Sequence, residues 1–313
     1  MLIATESAVY ALDGSGRQGE PEVLLKGEGV RRVAQEGLCC VAALEGGRLA
    51  VHRNSRLQRT ATGIADPIHS LLILSVEPLR LLIGTEPPHV YRLEVGSGQA
   101  QLMSGFESLE CRPRWHTPWG GPPALRSMAR TGDGWVYADV HVGSIMRSPD
   151  GGTTWQPVTP QLHEDVHQVA TCAAAEDRVY AQTADAFWLS EDRGDSWTHR
   201  GAGLGERYGR CVAVHPKDPD LMLATVSDGP HGGDVHGQLY RSEDAGRSWT
   251  HVADGFPAST AENIDTFHVV FSPQGVAWAV VGRTLYAGWE RATEWQPFWE
   301  APEPIAMVAG PRS

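Results

Sequence analysis

Ser148–Trp155 reads SPDGGTTW, Ser190–Trp197 reads SEDRGDSW and Ser242–Trp249 reads SEDAGRSW. All three fit S-x-D-x-G-x-[ST]-W. Their tryptophans lie 42 and 52 residues apart, and Trp295 follows 46 residues after the third. Setting Trp295 on Trp249 puts Gly288, Glu290 and Ala292 on the Ser, Asp and Gly positions, a decayed fourth copy. A period of about 40–50 residues marks a solenoid, propeller or array.

The octapeptide has the chemistry of a turn. An Asp accepts hydrogen bonds from backbone N–H groups a few residues on. The Gly supplies a positive φ at no steric cost. The Ser or Thr hydroxyl adds a local bond, and the Trp begins the next strand and packs inward. Asp150, Asp192 and Asp244 are therefore read as fold staples, not catalytic acids. Ser148, Gly152, Trp155, Ser190, Gly194, Trp197, Ser242, Gly246 and Trp249 belong to the same staples.

Composition supports a β-rich chain. The 313 residues hold 35 glycines and 21 prolines, too many for a helical protein. Eleven tryptophans and 41% hydrophobic residues are ample for a core. No apolar run approaches the ~20 residues of a membrane helix. A net charge of −12 argues against nucleic acid or an acidic membrane surface as partner. Only Lys26 and Lys217 among the 26 basic residues are lysines, so an anion site would use Arg or His. Five cysteines without a CxxC argue against a disulfide framework and a Cys-based zinc site. The opening MLIATESAVYAL has no charged n-region and reads as structure, which sets a cytoplasmic location as the expectation.

The three octapeptides resemble the Asp-box, or BNR repeat, of sialidase-like β-propellers. That resemblance implies blades of four antiparallel strands, A to D from the axis outward, with the box joining C to D. Around the first copy, 126–130, 135–140, 144–148 and 155–158 read as A, B, C and D. Equivalent quartets fall in 30–62, 66–106 and three later segments. Residues 161–193, which lack Gly and Pro, also carry a helical pattern in CAAAEDRVYA. They are read as strand, because FWLSEDRGDSW stays in register with the other copies. The N-terminus supplies only B, C and D (LIATE, AVYALD, EVLLKG), and PIAMVA at 304–309 supplies an unpaired A strand. The expectation is an all-β, seven-bladed propeller over 1–313, a single domain, closed by the C-terminal strand in the N-terminal blade. Closure removes the open sheet edge.

In such propellers ligands sit over the channel, on the face of the D-to-A and B-to-C loops. The longest loops here are 105–124 and 228–238, and long ordered loops are usually functional. Arg32, His69, Arg126, His167, Tyr208, Arg210 and Asp265 fall at or near A-strand starts. His141 and His231 fall on B-to-C loops, Trp119 on the long loop, and Asn263 just before an A strand.

Three chemistries fit this mouth. Arg32, Arg126 and Arg210 come from alternate blades and would converge on one anion. The sialidase resemblance adds a nucleophilic Tyr beside a Glu, here Tyr208 with Glu206 or Glu262, and an acid, Asp66 or Asp265. Alternatively His69, His167 and His268 would hold a divalent metal, as four histidines do on the propeller axis of carotenoid-cleaving oxygenases. No other cofactor is implied. Thirdly, His141 and His167 would act as base and acid in a hydrolase or lyase, with Arg126 or Asn263 stabilising developing charge. The leading expectation is an anionic or sugar-like small molecule in a His/Arg-rich pocket. A non-catalytic scaffold for a protein partner is the alternative, since photosystem assembly factors share the repeat. Asp-box sorting receptors are disulfide-rich and fit the cysteine count poorly.

Overall fold

The computed structural model describes residues 1–17, 19–230 and 232–310. It is a seven-bladed β-propeller, each blade a four-stranded antiparallel sheet. Blade 1 takes its A strand from Ile305–Ala309 and its B, C and D strands from Leu2–Thr5, Ala8–Ala11 and Glu22–Lys26. Ile305–Ala309 pairs antiparallel with Leu2–Thr5, so the ends of the described chain close the ring. The A strands of blades 2 to 7 are Val30–Glu36, Ile68–Val76, Leu125–Arg130, Val166–Cys172, Tyr208–His215 and Val269–Phe271. Each touches the next around the axis. The helical pattern at 172–181 yields to strands: Val166–Cys172 pairs with Ala175–Thr183.

B strands are packed on both faces, which is why they read as continuous apolar runs rather than alternations. Cys39–Leu44 (CCVAAL) is buried at every position. Seven hydrophobic clusters fill the seven gaps between blades, for example Trp278 and Leu285 of blade 7 against Ile3 and Tyr10 of blade 1. All five cysteines are buried and unpaired.

The three octapeptides fold alike. In each, the Ser hydroxyl accepts the Gly N–H at 2.7–2.8 Å and donates to the Asp Oδ1 at 2.8 Å. The Asp also accepts the N–H and hydroxyl of the residue before the Trp. Gly152, Gly194 and Gly246 have φ of +92°, +92° and +82°. The decayed copy keeps the backbone path: Ala292 takes φ +62° and its carbonyl accepts the Trp295 indole N–H, as Gly152 does for Trp155. Asp192→Ala removes three short bonds from an exposed turn. A stability loss of about 1–2 kcal/mol is expected in urea unfolding, with ligand affinity unchanged.

Candidate functional site

The mouth is made by irregularities of the A strands. In blades 2, 3, 4 and 5 the A–B register slips at the same level, leaving one extra residue on the A strand: Arg31, His69, Arg126 and His167. In blade 6 Arg210 and Cys211 face the single residue Thr225, and in blade 1 Ala306 is extra. A bulge breaks the in–out alternation and re-aims a side chain. The consequence here is an arc of polar residues from blades 2 to 6 over the channel.

Asp165, just before the A strand of blade 5, is the hub of this arc. Its Oδ1 lies 3.3 Å from His167 Nε2, 3.7 Å from His141 Nε2 and 3.7 Å from Arg126 Nη1. None of these contacts has hydrogen-bond geometry, so the buried Oδ1 is left without a donor in the protein. His167 is fully buried, and its Nδ1 faces the carbonyl of Gly209, which requires Nδ1–H. Its Nε2 is then free to accept the Tyr208 hydroxyl at 3.3 Å. Burial, with Arg126 nearby, lowers the His167 pKa and pushes His141 down to about 4. Burial alone would raise the Asp165 pKa, but the positive charge around it, Arg126 included, holds the carboxyl below its usual value. The cluster at neutral pH is an ionised carboxylate between two neutral imidazoles.

One wall comes from the long loop, which holds a helical turn (Ser104–Glu107) and a 3-10 turn (Arg112–Arg114). Arg112 pins it: it donates to the Pro88 carbonyl, pairs with Glu107 at 3.0 Å and lies over Trp115. Trp115 packs on Gly143, where a Cβ would come within 2.7 Å of the indole. Beyond it, Trp119 is 67% exposed, its ring 4.9 Å from that of His141.

The floor comes from blade 7. Residues 265–268 leave the sheet and cross the channel. The Thr266 hydroxyl reaches the carbonyls of His167 and Arg210, and the Phe267 N–H donates to Gln168 Oε1. The Phe267 carbonyl accepts Val308 N–H from blade 1. Phe267 holds φ +65°, a conformation that costs a bulky residue about 1–3 kcal/mol and persists only where its surroundings over-determine it.

His141, His167, Tyr208, Arg126, Arg210 and Trp119 thus gather on one side of the mouth, with Asp265 3.5 Å from Arg210. The three arginines do not form a common cradle. Arg32 donates to the carbonyls of His69 and Arg31, Arg126 to that of Val166, and Arg210 faces Asp265 and the Tyr208 ring. Nor do His69, His167 and His268 meet. His69 contacts Glu86 at 3.1 Å, and His268 Nδ1 accepts the Asp265 N–H. Among the described residues no three His, Cys, Asp or Glu side chains gather as a metal site. Tyr208 meets His167, and no glutamate among the described residues hydrogen-bonds it. Asn263 spends its amide on the carbonyls of Gly229 and Pro230. His231 lies outside the described residues. Asp165 was not singled out from the sequence. The available signal was its position, two residues before His167 at the end of a D-to-A loop.

The His141 shift has a defined sign. Its folded pKa of about 4 lies below the ordinary 6.5, so it favours folding above pH 6.5 and loses that contribution as pH falls toward 4. His141→Gln is expected to gain about 3 kcal/mol relative to wild type between pH 7 and pH 4, read from paired urea titrations.

Comparison with known proteins places this architecture. An oligoxyloglucan reducing end-specific xyloglucanase of Emericella nidulans is 30% identical over 187 residues, covering 53% of this chain and 22% of the relative. The chain thus spans about a fifth of that protein's length. The GH74 xyloglucanase from Xanthomonas campestris superposes with a TM-score of 0.66 at 16% identity, over 97% of this chain and 51% of that one. An ancestral GH74 enzyme gives 0.68 at 14% identity, over 96% and 40%. Identities this low speak to the fold alone. Residues 143–303 match the model of the family described as Sortilin, neurotensin receptor 3. This corrects the inference from cysteine count, because the matched span holds the three octapeptides and the decayed fourth, which do not depend on disulfides. With more than half of its residues in that match, the chain belongs to the Sortilin-Vps10 family.

Proposed function

We propose that the mouth binds a neutral carbohydrate, with Trp119 as the platform for a sugar ring and Asp165 as the acceptor for its hydroxyls. The observation that carries the reading is Asp165 Oδ1, a buried carboxylate oxygen at the mouth without a donor in the protein. A hydroxyl supplies that donor, and hydrogen bonds to charged groups are the strong ones. An anion fits less well. Asp165 repels it, Arg32 and Arg126 are spent on backbone carbonyls, and Arg210, whose buried Nε has no hydrogen bond, already has the Asp265 carboxylate 3.5 Å away. The octapeptides are read as Asp-boxes, and the sequence relative named as a xyloglucanase favours a glucan ligand.

Hydrolysis is the second reading. An ionised Asp165 is placed to take a proton from a water, and Asp265 brings a second carboxylate to the same face.

Isothermal titration tests the first reading with xyloglucan oligosaccharides against glucuronate, sulfate and phosphate. Binding of the neutral oligosaccharide is expected, weakened at least ~10-fold in Trp119→Ala. Trp119 is exposed, so the variant keeps its fold. Tighter binding of any anion, or no binding across the panel, removes the carbohydrate reading.

A further inference from the structure

Below the floor lies a cavity of about 310 Å³, lined by the seven A strands and opening on the face opposite the mouth. Phe267 and Gln168 line its upper end, whereas His141, Asp165, Tyr208 and Arg210 do not touch it. The cavity is thus lined by a different set of residues from the Asp165 cluster, and a ligand in it does not depend on the function of the mouth.

Two features make the cavity unlike a plain wet pore. The inner edges of the A strands would normally present bare carbonyls to water. Here side chains from neighbouring strands cover five of them. Arg32 donates to the carbonyl of His69, Ser70 to Leu125, Arg130 to Ile73, Gln168 to Val212 and Thr171 to Arg130. The lining also exposes one apolar side chain from each of six strands: Ala34, Leu71, Ala170, Val214, Val270 and Ala309. At the outlet Arg130 pairs with Glu36 at 3.2 Å, which cancels the charge there.

We propose that this lower channel is a second binding site, for an unbranched aliphatic chain with an uncharged polar end. The volume equals about ten waters, and the lining follows each of the seven A strands over several residues, from Arg32 to Glu36 and from Gln168 to Ala173 for example, so a linear chain can lie along them. The apolar ring contacts the methylenes, and the polar end rests at the outlet beside Thr171 and the Glu36–Arg130 pair. A carboxylate end would compete with Glu36 for Arg130, and an ammonium would compete with Arg130 for Glu36, so the neutral end is preferred.

The test is an n-alkanol series from butanol to octanol, followed by NMR titration of the full chain. Affinity is expected to rise about fourfold per added methylene, and thus by about two orders of magnitude across the series. Nuclear Overhauser contacts from octanol should fall on the methyls of Val214 and Val270. Octanoate and octylamine should bind more weakly than octanol. Ala170→Phe, which fills the channel, should abolish binding, with melting temperature reporting its fold. The proposal is overturned if affinity does not grow with chain length, if the contacts fall outside the channel, or if a folded Ala170→Phe binds like wild type. The channel is then a water-filled pore. Should Ala170→Phe fail to fold, the chain-length series and the contact map in the wild type decide.

Discussion

Asp165→Asn is expected to weaken oligosaccharide binding by about 10- to 100-fold while leaving the propeller folded. The substitution keeps the size of the side chain and removes its charge. What is lost is a hydrogen bond to an ionised acceptor, worth about 1.5–3 kcal/mol. If the mouth is also hydrolytic, turnover should fall further, by about 10²–10⁴, because the same oxygen would be the base. The geometry implies two secondary effects. Arg126 loses the carboxylate 3.7 Å away, so a modest drop in melting temperature is expected. His141 and His167, whose imidazoles face the same oxygen, lose a negative neighbour and should titrate at still lower pH. Titration calorimetry, melting curves and histidine NMR shifts measure the three outcomes. Unchanged affinity in a folded Asp165→Asn would move the site away from this hub.

Removing residues 304–310 is expected to be worse for the fold than any single substitution. These residues hold the A strand of blade 1, whose Ile305, Met307 and Val308 are buried. At about 1.5–3 kcal/mol for each side chain, their loss amounts to about 5–9 kcal/mol. That rivals the whole stability of an ordinary domain. It also uncovers the edge of Leu2–Thr5, an invitation to pair with another chain. The truncated protein should aggregate or run as a mixture in size-exclusion chromatography. Val308→Asp tests the same closure at full length, and should lower the melting temperature by at least ~10 °C. A soluble truncation melting within a few degrees of wild type would mean that the ring does not depend on this strand.

Much of the fold was readable because it is written locally. The Ser, Asp, Gly and Trp of each octapeptide specify a turn through bonds within eight residues, so three copies and one remnant were enough to phase the blades. Closure was readable because the segments 2–5 and 305–309 each lacked a partner in their own neighbourhood. The A-strand starts of blades 2 to 6 were also legible, since polar residues at the head of an apolar strand stand out. The partners of those residues were not readable. Arg32, Arg126 and Arg210 look like one cradle in a blade diagram, yet carbonyls and carboxylates from the neighbouring strands and loops claim each of them. Histidines 69 and 167 are both bulge residues yet face different groups, and His268 stands before its A strand without a bulge.

What the sequence by itself determined is the repeat, its turn chemistry, the number of blades and the strand that closes them. All of these come from short-range hydrogen bonding and from the apolar pattern of single strands. The tertiary structure alone decided the site. A bulge inserts one residue against a neighbouring strand and turns that side chain toward the axis, and no periodicity in one strand records its place. Asp165 becomes a hub only because His141 and Arg126 arrive from the adjacent blade, 24 and 39 residues earlier in the chain. The floor that parts the mouth from the channel depends on Thr266 and Phe267 reaching strands about 100 residues away. Such contacts are set by where the ring brings the blades together, not by the residues that flank them in sequence.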